Sequence, residues 1–352
     1  MAEDIAIVAF AQTPSYRSYG DSEASMIMGI VNQILGDVEI DRYDIDFTIA
    51  GSCDYLLGLP FSFIANVDGY GAWPPIYESH VEMDGAWALF EAFVRLQCGD
   101  IDSALVVGSG KSSSGVPREI FPLQTDPYVS APLGLDPVSV AGLQARALLE
   151  AGKATERDFA EVVSRSRRDG LSNPHAQVAK DVSVETLLKE PYYASPLRKH
   201  DLPPISDGAA AVLIARGELA RKLCETPIWI RGIDHRIESH HLGLRDLTDS
   251  PSSRIAARNL GLDAGSLDVA ELCVRYSPEE IVLRQALELG DGTQINPSGG
   301  PLCGHPVMAT GLTRVIEVAH RIRNGEAGRG LGHATSGPAL QQNLLCILEG
   351  DA

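Results

Sequence analysis

The chain has 352 residues, of which 44% are hydrophobic, and a formal net charge of −18. This length and apolar fraction allow a large buried core and favour two lobes over one. The acidic balance argues against nucleic-acid binding, because phosphates require a positive surface. No apolar run reaches membrane-spanning length, and the start MAEDIAIVAF has acids where a signal peptide is basic. We therefore expect a cytoplasmic protein with no membrane segment.

The cysteines are widely spaced and include no CxxC pair. This spacing is typical of reduced thiols and fits neither a disulfide framework nor a zinc site. We expect no metal and no permanently bound cofactor. The six are Cys53, Cys98, Cys224, Cys273, Cys303 and Cys346.

In the first half, buried strands are predicted at Ile5–Val8, Ala104–Val107 and Ala211–Ile214, with helices between them. The stretch HVEMDGAWALFEAF predicts a helix that ends near Gly99. Residues from about 112 to 202 are rich in Pro, Ser and charge, which predicts a loop domain over the active site. We predict a first lobe over residues 1–220, including this loop domain, and a second lobe over residues 221–352.

The second half opens with a strand in PIWIRGIDHRI and continues through AELCVRYSPEE to NPSGGPLCGHPVMATG. Gly299 and Gly300 allow a backbone to approach a ligand closely, and Pro306 fixes the chain after His305. From Thr310, apolar residues recur at helical spacing. His305 should therefore lie just before a helix amino terminus, where N–H groups favour developing negative charge.

This last string resembles the GHPxGATG signature of the thiolase superfamily. AIVAFAQTP, SALVVGSGKSS and PPISDGAAAVLIA match other family segments in the same order. The resemblance implies an α/β thiolase fold with two similar lobes in a five-layered αβαβα arrangement and a loop domain inserted in the first lobe. It also implies an acyl-CoA substrate, with coenzyme A present only as part of that substrate, and a homodimer core.

The chain departs from the family at its catalytic cysteines. Alignment of the helix that ends at Gly99-Asp100 puts the nucleophile at Glu82, and Cys98 lies about 24 Å away along the helix. The family's His-Asp-Ala-Phe or Asn-Glu-Ala-Phe motif is replaced by CVRY at residues 273–276. His333 falls at or beside the second catalytic cysteine, and Met308 replaces a signature glycine. Without a thiol, an acyl-enzyme is not expected.

SHVEMDGAWALFEA at residues 79–92 resembles the lipid-transfer-protein branch of the superfamily, which lacks the nucleophile. That branch includes aldolases that remove the side chains of steroid CoA thioesters. They work with a small partner that carries a zinc element and an OB-fold, giving a heterotetramer. The resemblance favours a retro-aldolase that cleaves a β-hydroxyacyl-CoA with a bulky, steroid-like acyl group. A noncanonical acyltransferase and a non-catalytic acyl-CoA or lipid-binding scaffold are the alternatives.

The candidates for acid-base catalysis are Glu82, Asp84, Tyr276, His305 and His333. Each also has a structural interpretation: the two acids are suited to helix capping, Tyr276 to core packing, and His333 to a satisfied buried position.

The candidates for contact with coenzyme A are Gly299, Gly300, Arg165 and Arg168. The arginines are equally compatible with a solvated helix face.

Overall fold

A computed structural model describes residues 4–71 and 77–351. Its strands, in chain order, are β1 Ile5–Gln12, β2 Phe47–Gly51, β3 Tyr77–Val81, β4 Ser103–Lys111, β5 Tyr192–Ala194, β6 Leu197–Arg198, β7 Asp207–Arg216, β8 Ile228–Ile237, β9 Val269–Glu271, β10 Gln294–Ile295, β11 Arg329–Ser336 and β12 Gln342–Glu349. Its α-helices are α1 Glu23–Val38, α2 Asp54–Leu57, α3 Gly85–Cys98, α4 Pro117–Ile120, α5 Pro137–Glu150, α6 Glu156–Asp169, α7 Val184–Leu187, α8 Gly217–Leu223, α9 Pro251–Asn259, α10 Ser277–Ala286 and α11 Thr310–Arg323.

Ten strands form a continuous mixed sheet, to which each half of the chain contributes five. The order is β3-β2-β4-β7-β1 in the first half and β8-β12-β11-β9-β10 in the second. The halves join where β1 pairs antiparallel with β8, Ala6 opposite Trp229 and Ile7 opposite Ile228. The strands predicted from the apolar runs near residues 5, 104 and 211 are confirmed as β1, β4 and β7.

The side chains of these strands face two different helical layers, because successive residues of a strand point to opposite faces. Ile5 and Ile7 pack in a core shared with α3 and α11, which lie between the two half-sheets. Ala6 and Val8 pack in a second core with α1, and a third core joins the outer face of the second half to α9 and α10. The predicted αβαβα arrangement of five layers is confirmed.

Residues between β4 and β7 form short helices and irregular segments with α5 and α6 as the longest elements. Both of these helices contact α10 of the second half. Helix α8 packs on β1 and β7, so β8 is the first strand of the second half. The domain limits proposed from the sequence stay a prediction.

Two helices define the neighbourhood of the site. Helix α3 begins after the N-cap Asp84 and ends at Gly99, whose φ of +77° suits glycine. Helix α11 begins at Thr310, as the apolar spacing predicts, and packs along α3. Within the part of the chain that the structure describes, no helix combines the length and hydropathy needed to cross a bilayer.

Candidate active site

Three backbone segments meet at the amino end of α3. The Gly85 amide donates a 2.8 Å hydrogen bond to the Met308 carbonyl oxygen. A Cβ at Gly108 on β4 would lie 2.6 Å from that same oxygen, so a larger residue cannot fit there. Met308 itself holds a φ of +72°, in the left-handed region where the family signature has glycine. The segment that follows His305 is therefore fixed against both α3 and β4.

Asp84 connects the amino termini of α3 and α11. Its carboxylate accepts hydrogen bonds from the amides of Ala86 at 2.9 Å, Gly311 at 2.8 Å and Leu312 at 3.0 Å. Burial raises the pKa of Asp84, although these three donors act in the opposite direction. Two of the amides at the start of α11, where the sequence predicts support for a developing negative charge, are thus already occupied by Asp84.

His305 is held by the first residue of α11. Its Nδ1 lies 2.8 Å from Thr310 Oγ1, and the Thr310 hydroxyl donates its hydrogen to the Pro306 carbonyl oxygen at 2.8 Å. With the hydroxyl hydrogen directed to Pro306, His305 Nδ1 is the donor in this contact, which leaves a lone pair on Nε2. Burial, followed by the charges of Arg275 and Arg314, lowers the pKa of His305 to about 3. The imidazole is therefore neutral near pH 7, with Nε2 unprotonated.

A cavity of about 630 Å³ opens beside His305. Its wall combines apolar side chains with a few polar ones, as is usual for small-molecule sites. The apolar part includes Val116, Phe121, Val138, Leu202 and Ile205. The polar part includes Asp84, Arg118, Arg275, Tyr276, His305 and Thr310.

Tyr276 lines this cavity at the start of α10. Burial raises the pKa of its phenol, so the hydroxyl stays protonated at neutral pH. Its amide donates to Glu279 Oε2 at 3.2 Å, while its hydroxyl has no hydrogen-bond partner among the described residues. The group is therefore available as a proton donor to a molecule in the cavity.

Cys273 also lines the cavity, but it does not have the properties of a nucleophile. Burial raises the pKa of its thiol to about 12, so the thiolate is scarce at neutral pH. The cysteine amide, rather than its thiol, bonds to a histidine, donating to His333 Nδ1 at 3.2 Å. Cys273 therefore does not provide the activated thiol that a thiolase needs to form an acyl-enzyme.

His333 lies within the sheet and outside the residues that line the cavity. Its Nδ1 accepts from Cys273, so its Nε2 carries the hydrogen and donates to Asn343 Oδ1 at 3.0 Å. Burial lowers the pKa of His333 to about 4. Both ring nitrogens of His333 thus have hydrogen-bond partners in a buried position. This arrangement fits the structural role considered from the sequence rather than a catalytic one.

Glu82 precedes α3 and is solvent-exposed. Its Oε1 accepts the Asp54 amide at 2.6 Å, and Glu82 is absent from the cavity wall. Of the five acid-base candidates, the structure brings Asp84, Tyr276 and His305 to one cavity and leaves Glu82 and His333 outside it.

The four residues proposed for coenzyme A lie away from this cavity wall. Arg165 pairs with Glu280 at 2.5 Å, and Arg168 lies 3.5 Å from Asp169. A Cβ at Gly299 would lie 2.8 Å from the Gly170 Cα, and one at Gly300 would lie 3.0 Å from Asn296. Both glycines are therefore closely approached by other parts of the protein. Their role toward coenzyme A stays a prediction.

Sequence reasoning missed two polar features of the cavity. From the sequence, Arg275 was named only as part of the changed CVRY motif. A charged residue in an otherwise uncharged motif could have marked it as a candidate site residue. Its Nη2 donates to Glu279 Oε1 at 2.8 Å and to the Gly337 carbonyl at 2.9 Å. Thr310 was taken only as the start of a helix, and its contact with His305 could be anticipated from its position one helical turn beyond Pro306.

No protein-family model matches the chain. The acetyl-CoA acetyltransferase of Methanothermobacter thermautotrophicus is 27% identical over 354 residues, which cover 93% of this chain and 92% of that protein. Sterol carrier protein 2 of Bos taurus is 28% identical over 294 residues, which cover 70% of this chain and 52% of that protein. The chain thus matches about half the length of the latter.

Solved structures agree with these sequence relatives. Human mitochondrial 3-ketoacyl-CoA thiolase superposes with a TM-score of 0.80 at 17% identity, covering 100% of both chains. This chain has the thiolase fold and is similar in sequence to proteins of the thiolase superfamily. The Ltp2-ChsH2(DUF35) aldolase also superposes with a TM-score of 0.80, at 20% identity over 99% of this chain and 98% of that one. At these identities the superpositions establish the thiolase fold.

The relatives confirm the recognition drawn from the sequence, including the similarity to the lipid-transfer branch. The chain has the histidine of the GHP string, His305, and a cavity lies beside it. In residues 4–71 and 77–351, no group of three or more His, Cys, Asp or Glu side chains is placed to hold a metal ion.

Proposed function

We propose that the chain is a retro-aldolase that cleaves a β-hydroxyacyl-CoA into a ketone or aldehyde and a shorter acyl-CoA. The observation that carries this proposal is the shared cavity of His305 and Tyr276. His305 offers a neutral imidazole with a free lone pair, and Tyr276 offers a phenol that remains protonated. A base and an acid are what a retro-aldol reaction requires, and the cavity contains no activated thiol.

The step balances with these two groups. His305 Nε2 takes the β-hydroxyl proton, the oxygen forms a carbonyl with Cβ, and the Cα–Cβ bond breaks. The bonding electrons pass into the thioester as an enolate, and the Tyr276 hydroxyl returns a proton to Cα. The imidazolium then gives its proton back to the phenolate directly or through water, so neither an oxidant nor free coenzyme A is consumed.

The cavity supports a bulky acyl group as substrate. Its volume of about 630 Å³ lies in the range of sites that enclose drug-sized ligands, and its wall contains Phe121, Leu202 and Ile205. We infer a ring-bearing acyl chain, with steroid side chains as the leading class. The similarity to sterol carrier protein 2 and the fold likeness to an aldolase support this choice.

We further infer a cytoplasmic protein with a homodimer core that binds a small partner containing an OB-fold and a zinc element, in a heterotetramer. The aldolase with the same fold is named for two components, Ltp2 and ChsH2(DUF35), which supports a partnered assembly. In this proposal coenzyme A enters only as part of the substrate, and the protein retains no cofactor between turnovers.

The proposal is tested with the purified chain, with and without the small partner, and a β-hydroxy steroid acyl-CoA. Mass spectrometry follows products without added coenzyme A. Release of a ketosteroid and a short acyl-CoA supports the retro-aldolase, and Cys273→Ala should preserve this activity. Turnover that requires free coenzyme A and is lost in Cys273→Ala would instead establish an acyltransferase. Tight acyl-CoA binding without turnover under any of these conditions would establish a scaffold.

A further inference from the structure

A retro-aldolase must stabilise the enolate oxygen that forms on the thioester, and the groups expected to do so are occupied here. The amides of Gly311 and Leu312 at the start of α11 donate to Asp84. His305 has its hydrogen on Nδ1 and presents a lone pair at Nε2, so it is an acceptor at the cavity. Cys273 occupies the position of the family's His or Asn donor, and a thiol is a weak donor.

Arg275 is the cation that the same motif places in the cavity wall. Its Nη2 donates two hydrogen bonds, one to Glu279 and one to the Gly337 carbonyl. The Nε atom is buried and has no hydrogen-bond partner, and Nη1 makes no hydrogen bond within the described residues. The two N–H groups of Nη1 are therefore the free donors that a ligand can reach, because Nη2 is engaged and the unpaired Nε–H is buried.

The ion pair with Glu279 keeps this cation in place. The Glu279 carboxylate lies 2.8 Å from Arg275 Nη2 and also accepts the amides of Arg275 and Tyr276. Although burial acts against the charge, the Glu279 carboxylate raises the pKa of Arg275 above its ordinary value. The guanidinium is thus charged and oriented before any ligand arrives, which is the condition for effective electrostatic stabilisation of a transition state.

We propose that Arg275 is a catalytic residue that donates its free guanidinium N–H groups to the thioester oxygen as the enolate forms. This proposal rests on the proposed function, since it assigns the oxyanion donor of that reaction. Arg275 thereby supplies the oxyanion donor that the motif lacks, because Cys273 stands in the position of the family's His or Asn. His305 removes the β-hydroxyl proton and Tyr276 returns one to Cα, while Arg275 holds the negative oxygen between those events.

Arg118, the other arginine in the cavity wall, differs from Arg275 in its hydrogen-bond partners. Arg118 pairs with Asp136 at 2.9 Å through Nε, and its Nη2 donates to the same carboxylate at 3.1 Å. Its Nη1 contacts the Tyr193 hydroxyl at 3.4 Å. Arg118 is therefore a matched control, a cation in the same cavity whose donors are engaged through all three nitrogen atoms.

The test compares two ligands that differ at the position of the oxygen. Carboxymethyl-CoA carries a carboxylate on the atom that corresponds to Cα, one bond beyond the thioester carbon, so it places negative oxygen beside the enolate position, whereas S-ethyl-CoA has no oxygen there. Calorimetry on the full chain should show that the wild type binds carboxymethyl-CoA about 10- to 100-fold more tightly. Arg275→Met should reduce this preference to within about threefold, Arg275→Lys should keep part of it, and Arg118→Met should leave it intact.

The wild-type preference and the variants decide the proposal together. A wild type without the preference, or an Arg275→Met protein that folds and retains it, overturns the role of Arg275. If Arg275→Met fails to fold, the double variant R275M/E279Q, which removes both charges, and R275K give the same comparison. A purely structural arginine would affect both ligands equally and leave the ratio unchanged.

The same experiment separates this inference from the proposed function. If the wild type shows the ligand preference but leaves β-hydroxyacyl-CoA intact, the retro-aldolase assignment fails while Arg275 remains an anion donor. If cleavage occurs without the preference, the assignment stands and Arg275 is excluded. If the wild type shows no ligand preference and also leaves β-hydroxyacyl-CoA intact, both are overturned.

Discussion

His305 Nδ1 lies 2.8 Å from Thr310 Oγ1, and this one contact decides which ring nitrogen faces a ligand. With the Thr310 hydroxyl donating to the Pro306 carbonyl oxygen, the histidine donates from Nδ1. Nε2 is then the basic atom. The relationship gives His305, one of the acid-base candidates from the sequence, the tautomer that a general base needs.

Thr310→Val removes the acceptor that fixes this tautomer. We expect the kcat for cleavage to fall about 10- to 100-fold with little change in KM, because the base loses its orientation and its lone pair is no longer confined to Nε2. Thr310→Ser keeps the hydroxyl and should stay near wild-type activity. Steady-state kinetics on both variants check this, and equal losses in the two would exclude the hydroxyl.

The lowered pKa of His305 predicts an unusual pH profile. A base with the ordinary histidine pKa of about 6.5 loses roughly tenfold activity by pH 5.5. With a pKa of about 3, His305 stays unprotonated throughout this range. The kcat/KM should therefore show no acidic limb attributable to this base between pH 5.5 and 8. A single-proton limb near pH 6.5 that disappears in His305→Asn would contradict the assignment.

Tyr276→Phe removes the proton donor and leaves the ring. We expect kcat for cleavage to fall at least about 100-fold while substrate affinity is nearly kept, because the hydroxyl acts on the enolate carbon after binding. Single-turnover kinetics with product analysis measure this directly. An unchanged rate would reassign Tyr276 to packing, which its buried position also allows.

Asp84→Ala tests whether this acid is structural. The change leaves three amides at two helix termini without their acceptor, and we expect the free energy of unfolding to fall by about 3 kcal/mol. Asp84→Asn keeps one acceptor oxygen and should cost less than half of that. Urea unfolding of the three proteins gives these values. Equal stability in all of them would show that the carboxylate is free for chemistry.

His333 should make stability depend on pH in a known direction. Its pKa in the folded state is lowered to about 4, so between pH 6.5 and 4 the unfolded chain binds the additional proton. Its contribution is complete above pH 6.5 and declines as the pH falls. The difference in unfolding free energy between wild type and His333→Gln should shrink by about 1.4 kcal/mol per pH unit across this window. Parallel stability curves would show that His333 is not held neutral.

Periodicity and family motifs were sufficient to predict the architecture. Alternating strand residues such as Ile5 and Val8 face different layers, and the apolar spacing after Thr310 identified α11. These features depend on local chain geometry, which the order of residues specifies directly. The same reading identified His305 and Tyr276 as candidates because both stand in motifs with a fixed place in the family.

The sequence alone could not assign roles to these residues, because each role depends on a contact with a distant part of the chain. Asp84 meets Gly311 across more than two hundred residues and takes the amides expected to stabilise an anion. Glu82 is near Asp84 in sequence but lies outside the cavity. The sequence therefore determined the layered fold and the catalytic candidates, and only the tertiary structure decided the tautomer, the charges and the free donors, since burial and long-range hydrogen bonds set those properties.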